Sequence, residues 1–171
     1  MFVNPIEILN LLELRKDMKA ADFGSGSGGW AIPLAQKLID GTVFAIDVQE
    51  SPLSALLSRA HLAGVSNIKT VLADVESPVP GIEDNTLDLA LITDLLFQTE
   101  EPKAVFQEVK RALKVGGNVL VVEWNVDAML GPRSNKLSKE QVKEIAEDLG
   151  FVLDKEVVAG DYHYALILSK K

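Results

Sequence analysis

Ala20-Ala21-Asp22-Phe23-Gly24-Ser25-Gly26-Ser27-Gly28-Gly29 is the stretch whose reading decides the fold. A short strand-prone run, Lys19 to Phe23, leads into its glycines. Gly28 to Ile39 then reads as a helix, with Ile32, Ala35, Leu38 and Ile39 on one face. Pro33 is compatible with that helix because it falls in the first turns. Glycines between a strand and a helix let the chain turn tightly and let a ligand come close to the backbone. The helix start adds free N–H groups and a positive dipole end. Gly24, Gly26 and Gly29 fit the dinucleotide spacing G-x-G-x-x-G, while Gly24, Gly26 and Gly28 fit G-x-G-x-G. Asp22 weighs against the first, because a carboxylate there suits an amino group and sits awkwardly beside a pyrophosphate. A tight turn with no ligand is the third reading.

Outward from this loop, strand-like and helix-like segments alternate, which argues for an α/β fold with a mostly parallel sheet. Ile6 to Leu14 has a helical apolar pattern and is expected to pack across the sheet end. Thr42 to Ile46 is a β-branched second strand closing on Asp47. Ser51-Pro52 reads as an N-cap and first helical residue, with Gly64 as the stop. Ile68 to Leu72 is a third strand, Ser77 to Asn85 a loop, and Leu87 to Ile92 a buried fourth strand. Glu101-Pro102 opens a helix, and Gly116-Gly117 turns the chain into a fifth strand, Val119 to Glu123. Asn125 to Leu137 is a long irregular loop. Ser138 to Leu149 is a helix with a capping box. Phe151 to Val157 and Tyr162 to Leu168 form a closing hairpin around Ala159-Gly160-Asp161, so the last strand runs antiparallel. Residues 1–171 read as one domain, with 1–17 an N-terminal helical segment and 18–171 the core.

Ligands of open α/β sheets bind at the carboxyl ends of the strands. Asp47 ends the second strand, about 20 residues past the glycines, where an acid can accept both ribose hydroxyls. Asp74 ends the third strand in Leu72-Ala73-Asp74-Val75 and can accept from an adenine amino group. Each of these acids can equally be a turn residue.

Taken together, Asp22 to Gly29, Asp47, Asp74, Leu87 to Ile92 and Leu113-Lys114-Val115-Gly116-Gly117-Asn118-Val119 resemble the successive motifs of the class I S-adenosylmethionine-dependent methyltransferases. The likeness runs from about residue 19 to the end of the chain. The last stretch is similar to the L-K-P-G-G of small-molecule enzymes of the ubiquinone/menaquinone-biosynthesis type, with Val115 in place of the proline. The resemblance implies a three-layer Rossmann-like sandwich whose seven-stranded, mostly parallel sheet has order 3-2-1-4-5-7-6 with strand 7 antiparallel. It implies that Gly24, Gly26 and Gly28 surround the methionine part of the cofactor, Asp47 holds the ribose and Asp74 the adenine. Around them Asp22, Phe23, Ser25, Trp30, Val48, Gln49, Ala73, Val75 and Thr93 complete the expected S-adenosylmethionine site. Trp30 can line the pocket or simply pack.

The acceptor side is less defined. Thr93-Asp94-Leu95-Leu96-Phe97-Gln98 ends strand four without the Pro-Pro-aromatic motif of amino-base methyltransferases, which argues against methylation of a base amine. Asp94, Glu123 and His163 are the candidate catalytic groups. His is the side chain that titrates near neutrality. Asp94, Gln98, Trp124, Arg133 and Tyr162 are the candidate acceptor contacts: Trp124 can grip a planar or cationic group, and Arg133 an anionic one. Each has a bland alternative as a cap, packing or solvated residue. His61, late in a surface helix, reads as structural. Two distant histidines and no cysteine supply no metal-ligand set.

Hydrophobic residues make up 47% of the chain and charged residues 25%, the balance of a globular protein. Acidic residues outnumber basic ones by 25 to 17, giving a net charge of −8. That disfavours a nucleic-acid substrate, which calls for a basic face. No apolar run approaches the roughly 18 residues of a membrane span, and Met1 to Asn10 does not read as a secretory signal. The expectation is a cytoplasmic monomer or homodimer acting on a small molecule or a protein side chain. An NAD-binding oxidoreductase and a non-catalytic cofactor-binding scaffold subunit are the competing readings.

Overall fold

The computed structural model describes residues 1–171. Seven strands form one sheet: β1 Lys19–Phe23, β2 Thr42–Asp47, β3 Ile68–Leu72, β4 Leu87–Thr93, β5 Leu113–Trp124, β6 Phe151–Ala159 and β7 His163–Lys170. Their order is β3-β2-β1-β4-β5-β7-β6. The first five pair in parallel, and β7 lies antiparallel between β5 and β6. This is the expected order and the expected odd strand.

Helices α1 Pro5–Leu9, α2 Ala31–Lys37 and α3 Glu50–Leu62 cover one face of the sheet. There Leu34, Leu38 and Leu56 meet Val43, Leu89 and Leu120. Helices α4 Pro102–Ala112 and α5 Lys139–Asp148 cover the other, where Phe106, Val109 and Val142 meet Phe23, Ile92 and Val121. Phe106 and Phe151 stack edge to face at 6.1 Å, worth about 0.5–1.5 kcal/mol beyond burial. The capping box on α5 is complete: Ser138 Oγ accepts from the Gln141 amide and Gln141 Oε1 accepts from the Ser138 amide.

No helix joins β3 to β4. The loop from Ser77 to Asn85 takes its place, held by the buried carboxylate of Glu108. Glu108 accepts from the Val79 amide at 2.9 Å and pairs with Arg111. Arg111 in turn donates to the Ile82 carbonyl and to Asp84.

Several boundaries differ from the sequence expectation. The first helix ends at Leu9 rather than Leu14, because Leu11 and Leu12 donate to carbonyls three residues back and the chain turns away. It packs against α2 rather than across the sheet end: Ile8 and Leu9 enter the core of that face. The second helix begins at Ala31, not Gly28, since Gly28 sits at φ +89°. It stops at Lys37, leaving Ile39 59% exposed. Ser51 is not the cap of α3. The Gln49 amide donates to Asp47 Oδ1 at 2.9 Å, a turn that starts the helix earlier, with Gln49 at the cap position. Gly116-Gly117 makes a bulge inside a longer β5 rather than a turn before it: Leu113 already pairs with Leu87, and pairing resumes at Asn118. Tyr162 falls in the turn before β7, not in the strand.

Candidate functional site

The carboxyl ends of β1 to β4 open into one cleft of ≈ 760 Å³, inside the roughly 300–1,000 Å³ of ordinary ligand sites. Gly24 and Gly26 come from the end of β1, Asp47 to Gln49 from β2, Asp74 and Val75 from β3, and Leu95 and Gln98 from β4. The start of α4 closes the far side with Glu100, Glu101 and Ala104. Its charged lining residues are Asp47, Asp74, Glu76, Glu100 and Glu101, and no Lys, Arg or His lines it.

The glycine loop is tied to this cleft from both sides. The Gly26 amide donates to Asp47 Oδ2 at 2.9 Å, and the Gly24 and Ser25 amides donate to the Ile46 carbonyl. Arg59 on α3 reaches back to the carbonyl and hydroxyl of Ser27. Gly24 has φ +78°, and a Cβ there would stand 2.6 Å from Leu95 Cδ1. Gly26 faces open space, with nothing within 4 Å of where its Cβ would be. A ligand can therefore lie against the backbone at Gly26.

Asp22 lies fully buried behind this loop, and neither carboxylate oxygen has a hydrogen-bond partner. Burial pushes its pKa up to about 7; the Ala31 backbone lowers it and the nearby Asp47 charge raises it further. Buried polar groups are normally satisfied. An orphaned acid under an open glycine cradle suits a bound cationic amino group.

At the next strand ends a second group assembles. His163 Nε2 lies 3.1 Å from Asp94 Oδ1, and the Trp124 ring lies 4.1 Å from the imidazole. Glu123 Oε1 accepts from the amides of Leu95 and Leu96, both at 2.8 Å. Burial raises the Glu123 carboxyl to about 8; those two amides lower it and Asp94 raises it further. Gly131 packs directly on the Trp124 indole, which would stand 2.4 Å from a Cβ there.

Of the residues expected to hold a cofactor, Gly24, Gly26, Asp47, Val48, Gln49, Asp74 and Val75 line the cleft. Asp22, Phe23, Ser25, Gly28, Trp30 and Thr93 are buried around it, and Trp30 packs in the core with α2. Ala73 is half-buried beside Asp74. Gln98 lines the same cleft. Arg133 is solvent-exposed on its loop, and Tyr162 stacks on Phe2 at 5.4 Å. Neither lines the cleft. Leu95, Glu76, Glu100 and Glu101 were not anticipated. Their one signal is position: Glu100 and Glu101 immediately precede a helix that starts at the same sheet edge.

A family described as methyltransferase domain matches residues 21–121. The chain belongs to the methyltransferase domain family. Its sheet order, with the one antiparallel strand at β7, is that of the class I methyltransferase fold. Similar proteins include the demethylmenaquinone methyltransferases of Staphylococcus aureus, 32% identical over 68% of this chain and 47% of that protein, and of Bacillus mycoides, 27% identical over 74% and 53%. The chain spans about half the length of the curated relatives it matches. In structure this methyltransferase domain is similar to an SAM-dependent methyltransferase from Aquifex aeolicus, with TM-score 0.88, 24% identity, and coverage of 98% of this chain and 89% of that one. No helix of the domain is long and apolar enough to cross a membrane.

Proposed function

We propose that this domain binds S-adenosylmethionine in the cleft at the ends of β1 to β4 and methylates a small molecule there. When bound, S-adenosylmethionine supplies a methyl group on a sulfonium. Asp47 accepts from the ribose hydroxyls, Asp74 from the adenine amino group, and Asp22 receives the methionine ammonium. Val48, Gln49 and Val75 flank the nucleoside. The rate comes chiefly from positioning and exclusion of water, so the absence of a nucleophilic triad is no obstacle.

The observation that carries this reading is the cleft's charge. Five carboxylates and no cationic side chain surround it, which suits a cationic sulfonium ligand and repels the pyrophosphate of NAD. The same charge weighs against the oxidoreductase reading. The small-molecule acceptor is supported by relatives named for demethylmenaquinone, and by the net charge of −8, unsuited to a nucleic-acid backbone. A protein side chain is the second acceptor class, and a scaffold that binds without turnover the non-catalytic alternative. Residues 1–171 act in this reading as one cytoplasmic domain, as monomer or homodimer.

Calorimetric titration with S-adenosylhomocysteine and, separately, NADH tests it. Binding of the first but not the second is expected. NADH binding alone, or binding of neither by folded protein, overturns it. Binding without methyl transfer to any small molecule or protein leaves the scaffold reading.

A further inference from the structure

The roles of Asp94, His163 and Glu123 separate once their burial is compared. The His163 side chain is 3% exposed and that of Asp94 39%. Asp94 Oδ1 is buried against His163, so the open oxygen of the carboxyl group is Oδ2; Asp94 does not itself line the cleft, but Leu95, next in the chain, and Gln98, which donates to the Asp94 carbonyl, both do. Glu123 is 3% exposed and engaged with the Leu95 and Leu96 amides. Of the three side chains, only that of Asp94 is open to a molecule from outside.

Three further features mark Asp94 as held in place. Its backbone has φ +50°, a left-handed conformation that Asp accommodates better than most L-residues, and non-glycine residues held there cluster at functional sites. The Asp94 amide donates to the Val122 carbonyl, and its carbonyl accepts from Gln98 Nε2. Behind it, both ring nitrogens of His163 are buried and lack an aligned partner, although Nε2 is within 3.1 Å of Oδ1. Catalytic hydrogen bonds are often misaligned before substrate arrives. Trp124 covers the imidazole, and Gly131 covers Trp124.

We propose that Asp94 Oδ2 takes the hydroxyl proton of an acceptor, and that His163 is the positioning residue that holds the Asp94 carboxylate for this by donating from Nε2 to Oδ1. This rests on the methyl-transfer reading. The acceptor oxygen's electron pair forms the bond to the methyl carbon, the carbon–sulfur bond breaks with its pair left on sulfur, and the hydroxyl proton passes to Asp94. Glu123 holds the loop that carries Asp94 and does not touch the acceptor. The chemical class of acceptor follows: a phenol or alcohol, whose oxygen needs a base. An uncharged amine attacks through its lone pair and gives up a proton only afterwards, so it gains less from a base in the bond-forming step.

Two measurements test this on the full chain. Histidine-ring nitrogen NMR in mildly alkaline solution has only His61 and His163 to resolve, and His61→Gln assigns them. His163 is expected to carry its proton on Nε2, with ring shifts that move in Asp94→Asn. A proton on Nδ1, or shifts indifferent to Asp94→Asn, overturns the positioning role. The second measurement is turnover of graded phenols and alcohols, read as S-adenosylhomocysteine formed. Asp94→Asn is expected to lower kcat about 10²–10⁴-fold and His163→Gln about tenfold, with unchanged S-adenosylhomocysteine affinity. Both losses should vanish for acidic phenols that are already ionised. Equal losses on ionised and un-ionised phenols, or turnover confined to amines or absent from all hydroxyl acceptors while S-adenosylhomocysteine binds, overturns the base assignment. Failure to bind S-adenosylhomocysteine would instead sink the methyl-transfer reading, and the NMR result stands apart from both.

Discussion

The Gly26 amide and the Asp47 carboxylate are joined at 2.9 Å, so the acid assigned to the ribose also pins the loop assigned to the methionine part. Removing it should therefore cost more than one ligand contact. Asp47→Ala is expected to raise the Kd for S-adenosylhomocysteine about 10–100-fold, the scale of a lost charge-assisted hydrogen bond, and to lower Tm without ligand. Calorimetry and thermal melts of the same samples check both.

Asp22, if it receives the ammonium as proposed, is expected to set the pH dependence of cofactor affinity. Its pKa is raised to about 7 in the unliganded protein, and a bound ammonium would pull it down. Binding then expels a proton at mildly acid pH, and affinity falls as pH drops below about 7. Titrations in buffers of different ionisation enthalpy should show proton release at acid pH that disappears in Asp22→Asn.

Asp22 and Glu123 also tie stability to pH. Their folded pKa values, about 7 and about 8, exceed the ordinary 3.8 and 4.5. Folding takes up protons in between, so their contribution is complete below the ordinary values and is lost as pH rises through the folded ones. The unliganded wild type should melt at progressively lower temperature as pH rises across that range. Glu123→Gln keeps an oxygen for the Leu95 and Leu96 amides but cannot ionise, and should flatten that decline in melts across the pH range.

Gly24→Ala would put a methyl group 2.6 Å from Leu95 at φ +78°. Strain of this kind costs about 1–3 kcal/mol, and Leu95 must move out of the cleft wall. Denaturant unfolding should show the loss, and titration a weaker S-adenosylhomocysteine affinity.

The strands were legible because β1 and β3 are short apolar or β-branched runs bounded by glycine or charge, and both match residue for residue. Helix starts were less so. Ser51-Pro52 carries a strong local cap signal, yet Asp47 Oδ1 captures the Gln49 amide first, an interaction governed by where β2 ends. Likewise Gly116-Gly117 does turn, but the strand pairing of Leu113 with Leu87 on its near side is a long-range fact. In the site, Asp47 and Asp74 could be found because strand ends share one rim. Leu95 and Glu76 could not: Leu95 reaches the glycine loop only after β4 pairs with β1, and Glu76 lies just ahead of the loop that takes the place of a helix. His163 and Asp94, 69 positions apart in sequence, meet through the β4-β5-β7 order, which spacing alone does not reveal.

The cleft's carboxylate wall has a consequence for the catalytic cycle. A methyl donor with a sulfonium loses that positive charge when it gives up its methyl group, while the wall keeps all of its negative charge. The fresh donor and its spent thioether thus meet unequal attraction from the same side chains. Dilute salt, which leaves the wall unscreened, should widen the gap between their affinities, and concentrated salt should close it. An acidic rim of this kind helps the domain to load, and then to empty itself.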